Sequence, residues 1–339
     1  MTKAAELAKM GEVLTNSQIG GRRNIVINGA MQVAQRGTSV SSIDSSGYKT
    51  VDRWFTNASG ATFSQSQESV TVGGETGLPV QFTKFLKHST TGNDNTAIYQ
   101  YVEDITSIPS GEVTVSFYAK GTTPDGGLKT RFFQNFGSGG STEIELTSET
   151  QSNTLTSTWQ RFTATITIPS ISGKTVGTSS YFIIGFGQGS STSTDAWVLD
   201  ITGVQLEVGE QATPFEHRSF GEELGLCQRY FFRTPDGGNS GASTAYQILG
   251  TGYIHNSTTY LGHLIFPKTM RTTPTCSNAG NIDVLDTTGN RNISSMSLDH
   301  ATSRSCQPTM TISGGTAGQG ALFRLENDSD GYIQADSEL

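Results

Sequence analysis

Apolar residues recur at every second position through much of this chain, the period of strands with one buried face. Val113, Val115, Phe117 and Ala119 alternate with Thr114, Ser116 and Tyr118, which predicts one face in a core and the other open to solvent or ligand. Phe162, Ala164, Ile166 and Ile168 keep the same rhythm. Further strands are predicted at Ile25–Ile27, Met31–Val33, Ala61–Ser66, Val80–Leu86, Ala97–Val102, Arg131–Phe136 and Ile144–Leu146, with Trp54 in a turn-flanked segment. The unbroken apolar run Tyr181–Ile184 predicts a strand covered on both faces. Breaks fall at Gly73-Gly74, Leu78-Pro79, Gly92-Asn93 and the turn Thr122–Gly127. Some ten strands precede any helix, a count that fits a two-sheet jelly roll.

The stretch Leu199–Arg233 divides the chain. Leu199 and Ile201 alternate in one phase and Val204, Leu206 and Val208 in the other, so a β-bulge is expected at Thr202-Gly203. Ser219 and Glu222 have capping-box spacing, which predicts a helix running to about Gln228 with Phe220, Leu224 and Cys227 on its packed side. Tyr230-Phe231-Phe232 then opens a second set of strands. Ala245–Ile254 and Thr258–Phe266 form a hairpin around His255-Asn256-Ser257, and Met310–Ile312, Ala321–Leu325 and Tyr332–Gln334 follow. Phe266–Thr275, with Pro267 and Pro274, is excluded from a central strand. The expected class is all-β: a short helix in residues 1–20, a jelly-roll β-sandwich in 21–218, a linking helix in 219–229 and a smaller β-sandwich in 230–339.

Composition agrees with that class. Charged residues are only 15% of the 339, and 40 are glycine, as suits sheets joined by many tight turns. A formal charge of −8 leaves no cationic surplus to displace counterions from a nucleic acid, so no nucleic-acid partner is expected. No run reaches the roughly 18 apolar residues of a bilayer span, and no membrane insertion is expected. Cys227, Cys276 and Cys306 are too few and too dispersed for a disulfide scaffold. Three reduced, mostly buried thiols are expected, with a Cys276–Cys306 bridge as the alternative. Near the N-terminus Leu7, Met10 and Leu14 have the spacing of a coiled-coil seam, although one so short, with Gly11 inside it, needs sister copies or a docking partner to hold it. A frayed tail is the other reading.

Two sets of residues carry a family resemblance. Arg22–Gly37, RRNIVINGAMQVAQRG, and Val51-Asp52-Arg53-Trp54 resemble the beginning of the carbohydrate-binding-module-like jelly roll of phage tail-fibre and related virion proteins. Asp200–Glu207, Pro214–Ser219 and Glu222–Tyr230 resemble its end. Phe266–Thr275 and Gln334–Leu339 resemble C-terminal modules of phage fibres. The resemblance implies a virion appendage anchored to other tail or baseplate proteins through Leu7, Met10 and Leu14, assembled as a homotrimer, and binding a host surface glycan or receptor without catalysis. A capsid or tail decoration protein that never touches a host is the first alternative. A glycan depolymerase, with a carboxylate pair assembled between subunits, is the second.

Candidate chemistry is sparse. The five histidines sit in no metal-ligand or nucleophile signature; His255 and His263, placed to face each other across the hairpin, read as surface residues and His217 as a structural hydrogen-bonding residue of the linker. Gly185, Gly187 and Gly189 imitate a nucleotide-binding fingerprint but lack the helix and acidic residue that complete it, and read as a bulged strand end. Glu326, Asp328 and Asp330 match the opening of a calcium loop whose twelfth position, Ser337, lacks the bidentate carboxylate; an Asx-rich turn is the default. No cofactor is called for. Glycan binding needs ring faces for sugar C–H groups and polar neighbours for hydroxyls, which singles out Tyr118, Tyr253 and Tyr260. Trp54, Trp159 and Trp197 read as core residues.

Overall fold

The computed structural model describes residues 23–59, 62–71, 73–92, 95–124, 126–146, 152–188, 196–234, 247–326 and 331–339. It forms two compact units, the first running to Glu223 and the second from Leu224, with Gln35–Gly37 belonging to the second. Leu7, Met10 and Leu14 lie outside the described residues. Among those described, the chain is all-β apart from a 3₁₀ turn at Ile105–Ser107 and one α-helix, and no helix is long and apolar enough to cross a membrane.

Unit 1 contains β1 (Ser39–Ile43), β2 (Gly47–Tyr48), β3 (Phe55–Ser59), β4 (Phe63–Ser69), β5 (Lys84–Thr90), β6 (Asn95–Glu103), β7 (Gly111–Gly121), β8 (Leu128–Asn135), β9 (Ile144–Glu145), β10 (Ser152–Asn153), β11 (Gln160–Ile168), β12 (Tyr181–Gln188) and β13 (Val198–Val208). They form two antiparallel sheets, ordered β1-β4-β5-β13-β7-β11 and β10-β8-β12-β6-β3-β2, with β9 beside β8. The sheets close as a jelly-roll sandwich over one core. Val113, Val115, Phe117, Leu199 and Ile201 come from the first sheet, and Ile98, Phe132, Phe182, Ile184 and Phe186 from the second. The bulge in β13 lies where the change of phase places it: pairing with β7 shifts between Thr202 and Gln205, and Gly203 adopts φ +62°.

Ile25–Ile27 and Met31–Val33 are not strands. Asn28 and Met31 have φ of 57° and 56°, and the Met31 amide bonds back to the Asn28 carbonyl, so the pleat cannot continue. The segment is held by side chains instead. Asn24 Oδ1 accepts from the Val26 and Leu206 amides, and its Nδ2 donates to the Val204 carbonyl. Gln100 pairs with both backbone groups of Ile27 at 2.8 and 2.7 Å, as a neighbouring strand would. Asn28 binds Val33 twice and the Asp52 carbonyl once, and its own carbonyl accepts from Trp54 Nε1. The Val204 amide, freed by the bulge, donates to the Gly29 carbonyl at 2.9 Å. The two ends of unit 1 that carry the sequence resemblance are thus one hydrogen-bonded seam.

The strand expected at Val80–Leu86 starts at Lys84. Pro79 accepts the Phe82 amide in a turn that leaves Val80 77% exposed. The capping box forms as Ser219 N to Glu222 Oε2 at 3.0 Å and Glu222 N to Ser219 Oγ at 3.3 Å, starting α1 (Phe220–Cys227). Its packed side is corrected: Phe220 is 55% exposed, while Glu223 and Cys227, four residues apart, are buried.

Two buried groups of unit 1 make opposite demands on pH. His88 lies between the rings of Phe63 and Trp197, with Gln65 and Thr96 as partners, and burial keeps the imidazole neutral, its pKa drawn from 6.5 to about 3. Asp200, 9% exposed, sits opposite Lys87 and Lys120 in register; burial outweighs both cations and lifts its pKa from 3.8 to about 6. Below pH 6.5 the unfolded chain takes up the histidine proton first, so His88 costs stability as pH falls. Between pH 6 and 3.8 the folded chain takes up the Asp200 proton first, so Asp200 adds stability over that window. Each slope is about 1.4 kcal/mol per pH unit. Between pH 6 and pH 5 the two slopes oppose each other, so Asp200→Asn, with the compensation removed, is expected to lose about 1 kcal/mol more stability than the parent chain over that interval. All three tryptophans lie in unit 1, so urea unfolding followed by tryptophan fluorescence reads it alone; parallel slopes for the two proteins would refute the compensation.

Unit 2 contains β14 (Phe231–Thr234), β15 (Gln247–Asn256), β16 (Thr259–Ile265), β17 (Thr275–Ala279), β18 (Ile282–Asp286), β19 (Gly289–Asn292), β20 (Ser295–Asp299), β21 (Ser305–Thr311), β22 (Gly320–Leu325) and β23 (Tyr332–Asp336). A three-stranded sheet, β14-β23-β17, and a seven-stranded sheet, β19-β18-β22-β15-β16-β21-β20, share one core of Ile254, Tyr260, Met310, Phe323 and Ile333. Only Ile293 and Ser294 separate β19 from β20, although these are opposite edges of the larger sheet. A flat seven-stranded sheet would hold its edges about 29 Å apart. Three residue steps span about 10 Å, so the sheet is curled until its edges approach. The hairpin turn sits one residue later than expected, at Ser257-Thr258, because Asn256 Oδ1 accepts both the amide and the hydroxyl of Thr258.

Candidate aromatic binding face

The outward face of the second jelly-roll sheet is aromatic. In β6, Ile98 and Val102 point into the core, so Tyr99 and Tyr101 point out. Antiparallel register sets Tyr48, Phe55, Tyr99, Gly185 and Arg131 in one row across β2, β3, β6, β12 and β8. Tyr101, Ile183, Phe133 and Glu145 form the next row, and Tyr181 lies beside Asn135 in the row after.

The rings brace one another. Tyr48 meets Phe55 edge-on at 5.4 Å, Phe55 meets Tyr101 at 5.3 Å, and Tyr101 meets Tyr181 edge-on at 4.9 Å. Tyr99 meets Phe133 edge-on at 6.1 Å. Gly185 makes room for this packing, since a Cβ there would stand 2.4 Å from the Tyr99 ring. Polar groups flank the rings: Arg131 binds Glu145 Oε1 through Nε at 3.0 Å and Nη2 at 2.7 Å with its guanidinium 5.2 Å from the Phe133 centroid, and Asn135 donates to Glu143 at 2.7 Å. Burial raises the phenol pKa values of Tyr99, Tyr101 and Tyr181, so all three stay protonated and able to donate. Tyr48, Phe55, Tyr101 and Tyr181 are partly buried and keep some ring surface in solvent, while Tyr99 and Phe133 are 9% exposed. Such a face offers ring carbon to apolar ligand surface, with hydroxyl, amide, guanidinium and carboxylate groups within the same patch.

The residues singled out from sequence lie elsewhere. Tyr118 faces away from the jelly-roll core, yet that side of β7 is covered: Tyr118 packs on Phe82 at 5.3 Å in a second cluster with Leu78, Phe85 and Trp159, and Thr114 and Ser116 are buried too. The open face expected of this strand is corrected accordingly. Tyr260 is fully buried, with its hydroxyl on the Ala321 carbonyl, because Tyr260 and Leu264 form the inward register of β16; it is not a ligand platform. Tyr253 is 46% exposed and meets His255 edge-on at 6.2 Å. Thr251, not His255, opposes His263 across the hairpin. Glu326 accepts from Asn290 at 2.9 Å, while Asp328 and Asp330 lie outside the described residues, among which no cluster of three metal-ligating side chains occurs. Gly185 and Gly187 are regular members of β12, paired on both sides, and not a bulged end; Gly189 lies outside the described residues. Trp54, Trp159 and Trp197 are core residues, 1%, 3% and 1% exposed.

No family model and no curated protein matches the chain. Among solved structures it is similar to the family 11 carbohydrate-binding module of Clostridium thermocellum, with 15% identity over 54% of this chain and 99% of that one at a TM-score of 0.27. It is similar to the N-terminal cellulose-binding domain of Cellulomonas fimi β-1,4-glucanase C, with 16% identity over 44% and 90% at a TM-score of 0.27. A Stig cyclase from Fischerella sp. TAU gives 11% identity over 57% and 99% at a TM-score of 0.34.

Proposed function

We propose that this chain is a non-catalytic glycan-binding protein, and that it serves as a tail fibre or comparable surface appendage of a bacteriophage. The observation that carries the binding function is the braced aromatic face around Tyr101 and Tyr181, with Arg131, Asn135, Glu143 and Glu145 beside it. Sugar rings present C–H faces that stack on aromatic carbon and hydroxyls that bond to such neighbours. Rings already held by one another lose little freedom when a ligand arrives. The virion role rests on the sequence motifs at the two ends of unit 1 and at the C-terminus. In that role the N-terminal segment docks to tail or baseplate proteins, three copies assemble, and several weak glycan sites act together on a host surface.

Affinity electrophoresis of the full chain through gels containing host surface polysaccharides tests the binding function. Retardation by at least one polysaccharide is expected, with no release of reducing sugar. Tyr101→Ala and Tyr181→Ala are each expected to weaken that retardation about tenfold while leaving tryptophan fluorescence unchanged. Wild-type migration unaffected by every polysaccharide, or variants that bind as well as the parent, would remove this face from the mechanism. Labelled antibody on intact particles separates the appendage from a capsid decoration by where it lands.

A further inference from the structure

We propose that β11 is a pairing edge, and that two copies of the chain join through it, strand against antiparallel strand, about a two-fold axis at Ala164. β11 closes one side of the first jelly-roll sheet. β7 pairs with all nine of its residues, Gln160–Ile168, without a shift of register, and among the described residues no strand lies beyond it. Alternate residues of such a strand turn their amides and carbonyls outward, and among the described residues no hydrogen bond reaches those groups. The other margins of unit 1 are blunted: β2, β9 and β10 have two residues each, and β1 has five with a break in register between Val40 and Ile43. β11 has no lysine, proline, glycine or bulge to deter a neighbour. Its inward side also lacks cover. Ala164 and Ile168 are 2% exposed, whereas Phe162 and Ile166 pack against the core only partly buried, as apolar side chains do where no next strand shields them.

A second copy fits this edge because the strand is complementary to its own reverse. With Ala164 opposite Ala164, all nine residues are engaged: Thr163 faces Thr165, Phe162 faces Ile166, and the single charged residue, Arg161, faces Thr167. Threonine against threonine and aromatic against β-branched residue are favourable cross-strand pairs, and no like charges are opposed. Opposed positions share a face, so inward residues meet inward residues and the first sheets of two copies run on as one. A foreign strand would find the same amides and carbonyls without this match of side chains. The contact is independent of glycan binding, and being two-fold it doubles whatever assembly the chain otherwise forms, the proposed trimer included.

Sedimentation velocity of the full chain reads the pairing as a factor of two in mass. Thr163→Lys combined with Thr165→Lys sets lysine against lysine across the axis and is expected to halve the parent's mass. Thr163→Lys combined with Thr165→Glu sets lysine against glutamate and is expected to keep the parent's mass, with tryptophan fluorescence unchanged in both. Cysteines read the register. Coexpressed Thr163→Cys and Thr165→Cys chains are expected to form a disulfide between positions 163 and 165 under a mild oxidant, identified by peptide mapping. Either chain alone should form none at its own position, because like positions lie two residues apart along the paired strands, beyond disulfide reach. Equal masses for the parent and the double-lysine chain, or coexpressed chains that form no bridge between positions 163 and 165, would overturn the proposal.

Discussion

Glu223→Ala is expected to lower the stability of unit 1 by about 3–5 kcal/mol, the range found when one partner of a buried ion pair is removed. Glu223 is 5% exposed, and its Oε1 accepts the Asn28 amide at 2.6 Å and faces Arg218 Nη1 at 3.2 Å. Arg218 is as deeply placed, its two terminal nitrogens bonded to the Val26 and Asn24 carbonyls. Alanine removes the only carboxylate paired with that guanidinium among the described residues and leaves a buried amide without its acceptor. The measurement is the urea midpoint of tryptophan fluorescence. A double variant, Arg218→Met with Glu223→Leu, should recover part of the loss, since no charge is then stranded. A single-variant loss of only about 1 kcal/mol, as for a solvent-exposed pair, would show that water replaces the carboxylate.

Gly29→Ala should cost about 3 kcal/mol by the same measurement, from overpacking and one broken hydrogen bond. A Cβ on Gly29 would stand 2.1 Å from the Val204 carbonyl oxygen, a backbone atom fixed within β13. The alanine can be accommodated only by separating the 24–34 segment from the bulge, which also breaks the Val204 N–H to Gly29 carbonyl bond of 2.9 Å. Gly221→Ala is the control: it lies in α1 with nothing within 4 Å of the added carbon, and should be neutral or stabilising by up to about 1 kcal/mol. Equal midpoints for the two glycine variants would mean that the seam does not depend on close approach at Gly29.

The strands, the bulge and the helix start could be read from the chain because each is a local pattern. The change of phase between Ile201 and Val204 has one geometric solution in a pleated strand, and the Ser219/Glu222 spacing has one at a helix N-terminus. What was not legible depends on residues far apart in sequence. Asn24, Asn28 and Gln100 look like ordinary polar residues, yet they do the work of a neighbouring strand for a segment whose apolar alternation suggested two strands. Tyr118 was credible as a platform only because the cover over it, Phe82 and its cluster, comes from a loop about forty residues upstream. In β18, Ile282–Asp286, buried Asp283 and Asp286 broke the apolar pattern; their partners Arg324 and Arg291 are supplied by β22 and β19. The aromatic face did have a signal. Tyr99 and Tyr101 alternate with Ile98, Gln100 and Val102, but that the face gathers Tyr48, Phe55, Phe133 and Tyr181 is a matter of strand order.

The curl of the seven-stranded sheet in unit 2 bears on what its margins can pair with. An open margin of such a sheet would present a row of free amides and carbonyls, a template onto which a strand from another molecule can add. Here the margins are the four-residue β19 and the five-residue β20, brought towards each other by the two-residue link between them. That sheet therefore leaves little bare backbone onto which a strand from another molecule could add.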